Sequence, residues 1–195
     1  MTSQMLHSNH VGENPGKRQF VYVIMGLFLI AGLAVGCGGG GESAPKGSAA
    51  TAPLQACELL TKAEVETILE GTVDEPERKA QEDKESKSWM SMCTYYSPQK
   101  ERGAGLLIQT SSADPVKALE AHTASLKKAL GDAYKPQAID GIGGAAIWDG
   151  SAKQLTIFQG AYKLVVTASG TRLEEDVALE TAKSAAGKVL SKLPQ

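Results

Sequence analysis

The chain has 195 residues, enough for one ordinary domain with appendages. Its 42% hydrophobic and 22% charged content excludes a wholly disordered or polytopic chain. A formal net charge of −2 and only 5% aromatic residues argue against a nucleic-acid binder, which would carry a basic surplus and stacking platforms.

Lys17 and Arg18 precede an uncharged apolar run, Phe20–Val35, 16 residues long. A helix that crosses a bilayer needs about 20. The positive flank, the short apolar run and the small residues after it describe a secretory signal. Leu33-Ala34-Val35-Gly36-Cys37 resembles the bacterial lipobox. That resemblance implies that residues 1–36 are a signal peptide cut at Gly36–Cys37, and that Cys37 becomes the N-terminal residue and carries acyl chains, palmitate among them. The family prefers Leu three places before the cysteine; here that place holds Ala34, and Leu33 stands one further out. An uncleaved signal anchor is the alternative. Either way the expected location is the cell envelope, on the membrane and facing outside the cytoplasm. Two acyl chains suffice for stable anchoring, since each buried CH₂ contributes roughly 0.8 kcal/mol. His7 and His10 lie in the segment that cleavage would remove.

Gly38–Ala56 is rich in Gly, Ser, Ala, Thr and Pro, and residues 37–56 read as a lipidated cysteine and its tether. A coil of that length spans roughly 25 Å root-mean-square, which lifts a lipid-held domain off the headgroups. The domain is expected over 57–195, 139 residues, enough for a single core.

Thr61-x-x-Glu64 is a capping box, with Leu60 placed to staple onto Val65 and Gly71 to end the helix. A strand is expected near Thr72–Glu75, then a solvated loop over Glu77–Ser88, whose eight charges are evenly split. Trp89–Tyr96 alternates with apolar residues on both faces, as in a strand covered at least partly on both sides. Gly105–Ser111 is a further strand. Asp114-Pro115 opens a second helix, with Val116, Leu119, Leu126 and Leu130 as its apolar stripe, Thr123 as a semi-polar gap in that stripe and Gly131 as its end. Gln137–Ile139 is a short strand, Gly141–Gly144 a turn, and Ala145–Asp149 with Gln154–Gln159 a hairpin around Gly150-Ser151. Tyr162–Ser169 is the last strand. Thr171 and Glu174 propose a second capping box, before a helix carrying Val177, Ala178, Ala182, Ala185, Val189 and Leu193 on one side. The order α-βββ-α-ββββ-α gives the α+β class: a single domain in which helices pack on an antiparallel sheet, because consecutive strands without long crossovers must pair antiparallel.

With Cys37 lipidated, Cys57 and Cys93 remain. In an oxidising envelope an even pair favours a disulfide, with two free thiols as the alternative. No Cys-x-x-Cys is present for dithiol chemistry.

Cys57-Glu58-Leu59-Leu60-Thr61, Glu64-Val65, Cys93-x-Tyr95 and Gly141-Ile142-Gly143-x-x-Ala146 together resemble a family of small bacterial lipoprotein domains of unknown function, best known from actinobacterial envelopes. The resemblance covers the mature region and implies architecture rather than chemistry: a helix start, a second cysteine followed by an aromatic, and a Gly-rich turn before a strand bearing Trp148. Where relatives often carry Asp after the second glycine, this chain has Gly144, so no role for that acid carries over. A weaker similarity is to PsbP-like α/β/α sandwiches, secreted modules without enzymatic activity.

The mature region holds one histidine, His122, bordering the apolar stripe of the second helix, with no nucleophile or acid identifiable beside it. Too few soft ligands remain for a metal site, and no cofactor motif is present. Gly141–Gly144 is not a phosphate loop, since no Lys-Ser/Thr follows and a strand comes next. Glu174-Glu175-Asp176 suits the first turn of a helix, where acids favour the macrodipole. Trp89, Met90, Met92, Tyr95 and Tyr96, with Trp148, are the candidate ligand or partner surface. The expectation is a non-catalytic module that binds an envelope protein or a small apolar ligand. An enzyme using His122, or a purely structural lipoprotein, are the alternatives.

Overall fold

Thr61 and Glu64 form the expected capping box: the Thr61 N–H donates to Glu64 Oε2 at 2.9 Å, and its hydroxyl to the same oxygen at 2.8 Å. They open helix α2, Lys62–Leu69, which follows a single-turn helix α1, Ala56–Leu59. The computed structural model describes residues 53–171 and 173–194. The expected signal, Cys37 and most of the expected tether lie outside the described residues. Leu54 and Ala56, at the end of the tether by composition, already pack on the core. The left-handed residue that ends α2 is Glu70 (φ 53°), one place before the expected glycine.

Seven antiparallel strands follow: β1 (Glu77–Asp83), β2 (Ser88–Tyr96), β3 (Gly103–Thr110), then after helix α3 (Pro115–Leu130) β4 (Gln137–Ala138), β5 (Ala145–Asp149), β6 (Gln154–Gln159) and β7 (Tyr162–Ser169). Helix α4, Glu175–Leu190, closes the fold. The sheet order is β1-β2-β3-β7-β6-β5-β4, two meanders joined through the β3–β7 pair. The α+β class and the expected element order therefore hold.

The first strand is displaced from its expected place. No strand forms over 72–75; the charged run does so instead as β1, with every residue exposed. Such a run shows no buried face because it lies at a sheet edge, where pairing with β2 supplies the order and charge guards the free edge. Asp83 Oδ1 accepts from the Glu85 and Ser86 amides and shapes the turn into β2.

One face of the sheet holds the core. Trp89, Ser91, Cys93 and Tyr95 of β2, Leu106 and Ile108 of β3, Leu155 and Ile157 of β6, and Leu164 and Val166 of β7 meet α1, α2 and α4 there. Helix α4 buries Ala178, Thr181, Ala182, Ala185, Ala186 and Val189, a small-residue band that lets it lie close to the strands. Val177, expected on that side, is 44% exposed. The second capping box does not form, because Glu174 itself is the N-cap of α4.

Helix α3 lies on the opposite face, over β5 and β6. Asp114 caps it as expected, its side chain accepting from the Lys117 amide at 3.1 Å. Its apolar stripe is rotated from the expected one. Val116 and Leu130 are 55% and 53% exposed, and the inward residues are Pro115, Ala118, Leu119, His122, Thr123 and Leu126. Two medium-sized polar residues sit on that inward face, so hydrophobicity alone misplaces it. The turn at Gly141–Gly144 has the expected character, with positive φ at Gly141 and Gly143. A Cβ on Gly143 would lie 2.5 Å from Ile157, and one on Gly144 2.7 Å from Pro115, so the start of α3 docks where side chains are missing.

Candidate functional site

Strand β2 divides its soft residues between the two faces. Trp89 and Tyr95 are 6% and 1% exposed and belong to the core, as does Trp148 at 1%. Met90, Met92, Thr94 and Tyr96 alternate with them and stand half-buried on the other face. The structure therefore brings together Met90, Met92 and Tyr96 and separates Trp89, Tyr95 and Trp148 from them.

The core-facing residues of β2 hold the N-terminal segment. Ser91 Oγ accepts from the Ala56 amide at 3.0 Å, Cys93 is disulfide-bonded to Cys57 across a Cα–Cα distance of 5.2 Å, and the Tyr95 hydroxyl donates to the Leu60 carbonyl at 2.8 Å. Burial raises the Tyr95 phenol above its ordinary range, so it remains a donor. The Cys93-x-Tyr95 and Cys57–Thr61 motifs are thus two sides of one junction. Trp148 is likewise structural, its indole N–H donating to Glu175 at the start of α4 (3.3 Å).

The opposite face is half covered. Helix α3 lies mainly over β5 and β6, sets His122 beside Lys163 of β7, and leaves β2, β3 and the rest of β7 without a helical cover on this face among the described residues. Cross-strand register sets the floor there. One row runs Met92–Leu107–Val165 and the next Thr94–Gly105–Thr167. Gly105 leaves a trough between two threonines, and Tyr96 lies across Gly103 at the end of the sheet. The result is a groove of about 320 Å³, lined by Met92, Thr94, Tyr96, Leu107, Val165 and Thr167 among others. Apolar side chains with a few hydroxyls around them are the usual composition of a small-ligand site. Sequence alternation identifies Met92, Thr94 and Tyr96 as one face of β2, but the residues of β3 and β7 join them only through register.

Another cavity, about 510 Å³, lies near the start of α4 and is lined by Glu101, Arg102, Thr171, Leu173, Glu174 and Val177. Arg102 there donates to the Leu69 carbonyl at 2.7 Å, which ties the β2–β3 turn to the end of α2. The groove stands on regular strands, a more precise platform than these loops.

His122 of α3 meets the Phe158 ring edge-on at 5.8 Å, and its Nδ1 lies 3.4 Å from Lys163 Nζ. Burial, then the Lys163 charge, holds its pKa below the usual histidine range; burial also lowers that of Lys163. Among the described residues no carboxylate or serine hydroxyl is hydrogen-bonded to His122. None of them forms a group of three or more His, Cys, Asp or Glu placed to hold a metal ion. No helix among them is long and apolar enough to cross a membrane.

The chain matches no protein-family model, no curated protein and no solved structure.

Proposed function

We propose that this is a lipid-anchored protein of the cell envelope, held by Cys37 and related to the small actinobacterial lipoprotein domains, whose folded domain binds an envelope protein or a small apolar ligand without catalysing a reaction. The observation that carries the binding part is the uncovered face of β2, β3 and β7, where Met92, Leu107 and Val165 form an apolar floor beside the Gly105 trough. The environment of His122, a cation and an aromatic ring, supports binding over general-base chemistry. The signal-like run before Cys37 supports the anchor.

A photoreactive residue placed at Met92, and in a second variant at Lys188 on the exposed side of α4, tests the binding part in the native envelope. Cross-linked species from position 92 and none from 188 are expected. Equal capture at both positions, or capture at neither, contradicts the assignment. Intact-mass analysis of the membrane-extracted chain tests the anchor: the expected mass is that of Cys37–Gln195 plus acyl groups, and the mass of the uncut chain with an unmodified Cys37 contradicts it.

A further inference from the structure

One register row beyond the groove lining, the open face carries a cation. Lys163 lies on the same face of β7 as Val165, Thr167 and Ser169. Same-face neighbours on a strand stand about 7 Å apart, so the floor from Lys163 to Ser169 runs about 20 Å. The next row past Met92–Leu107–Val165 is Met90–Gln109–Lys163–Phe158, which holds one cation and no carboxylate. Helix α3 comes down on Phe158 there and sets His122 beside Lys163, 3.4 Å from Nζ, with both side chains half-buried. No ion pair formed among the described residues includes Lys163.

A partly desolvated ammonium without a counter-charge is costly, and an anion that accepts its hydrogen bonds removes that cost. With Nδ1 accepting from Lys163 Nζ, the neutral imidazole carries its own donor on Nε2, on the other side of the ring. The neighbouring floor offers apolar side chains, hydroxyls and the Gln154 amide, and no charged group. A polar anion alone would leave that floor bare, and a neutral chain alone would leave Lys163 without a counter-charge. Both demands are met by one molecule with a charged end and an alkyl end. At about 320 Å³ the groove is at the small end for ligand sites, which suits one chain rather than two.

We infer that the open face binds a single-chain amphiphile, its phosphate or carboxylate head on Lys163 and His122 and its alkyl chain along Val165, Leu107 and the Gly105 trough. This rests on the reading of that face as the binding surface. Lys79, at the exposed β1 margin opposite Met92, is the control cation.

Methionine-methyl NMR of the full chain tests it, with dodecyl phosphate, dodecanol and inorganic phosphate as probes and the Met92 methyl as the reporter. Dodecyl phosphate is expected to shift Met92 saturably and to bind about tenfold more tightly than dodecanol, as one charge-assisted contact supplies. Lys163→Met is expected to erase that preference, while Lys163→Arg and Lys79→Met keep it. Inorganic phosphate is expected to leave Met92 unmoved. Equal affinity for dodecyl phosphate and dodecanol, or an unchanged preference in Lys163→Met, overturns the anionic head site and leaves the groove reading standing. A Met92 shift by inorganic phosphate at the affinity of dodecyl phosphate overturns the amphiphile in favour of a free anion. No Met92 shift with any probe overturns both the inference and the small-ligand reading of the groove.

Discussion

The Tyr95 hydroxyl donates to the Leu60 carbonyl at 2.8 Å, joining a strand residue to a helix junction 35 positions earlier. Both residues are essentially unexposed. With Ser91 on Ala56 and Cys93 on Cys57, three alternate residues of β2 grip the segment over 56–60.

The disulfide closes a sequence separation of 36 residues, so replacing Cys57 and Cys93 by Ser is expected to cost about 4 kcal/mol in the chain-entropy account. Tyr95→Phe is expected to cost about 1–3 kcal/mol, because the buried Leu60 carbonyl loses its partner. Denaturant unfolding of the oxidised protein measures both.

Lys192, just past α4, donates to Glu64 at 2.7 Å and to the Leu59 carbonyl at 2.9 Å, tying the C-terminal end of the domain to α1 and α2. Burial pushes the Glu64 carboxyl up, but Lys192 and the Thr61 amide and hydroxyl outweigh it and hold the pKa at about 2, below the ordinary 4.5. The folded state therefore binds this proton less readily than the unfolded chain does. The resulting stability is fully present above pH 4.5 and is lost as pH falls through about 2. Allowing for solvent screening of this partly exposed pair, the loss is on the order of 1 kcal/mol. Stability measured against pH in wild type and Glu64→Gln is expected to converge in acid.

Gly141 and Gly143 both have positive φ, but a Cβ on Gly141 meets nothing while one on Gly143 would lie 2.5 Å from Ile157. Gly141→Ala is expected to cost about 1 kcal/mol from backbone strain alone. Gly143→Ala adds overpacking and is expected to cost a further 1–3 kcal/mol. Thermal unfolding of the two variants checks the order.

The elements written in local chemistry were legible. Asp114-Pro115, Thr61-x-x-Glu64 and Gly150-Ser151 specify their caps and turn within a few residues, and each stands where expected. What depended on distant partners was not. The β1 run carries no buried face, and only pairing with β2 makes it a strand. The inward face of α3 includes His122 and Thr123, so an apolar stripe drawn through Val116 and Leu130 points partly to solvent. For the site, alternation along β2 separated Met92 and Tyr96 from Trp89 and Tyr95, but not which set would be covered. That depends on α4 burying an alanine band on one side and α3 lying mainly over β5 and β6 on the other. Leu107, Gly105 and Val165 enter the groove through register, which no local signal records.

Filling the trough is the most direct test of the open face as the binding surface. A Cβ at Gly105 would sit 3.3 Å from Thr94 Oγ1, a contact that asks only a small shift of its neighbour, and the remaining atoms of Gly105→Leu extend into the trough and obstruct the groove. Native mass spectrometry of the full chain extracted from its own envelope then compares the two proteins. The expected result is a bound species on the wild type that is absent from Gly105→Leu, with the unfolding midpoint of the variant close to that of the wild type. The same bound species on both at equal occupancy, or none on either, would contradict the account.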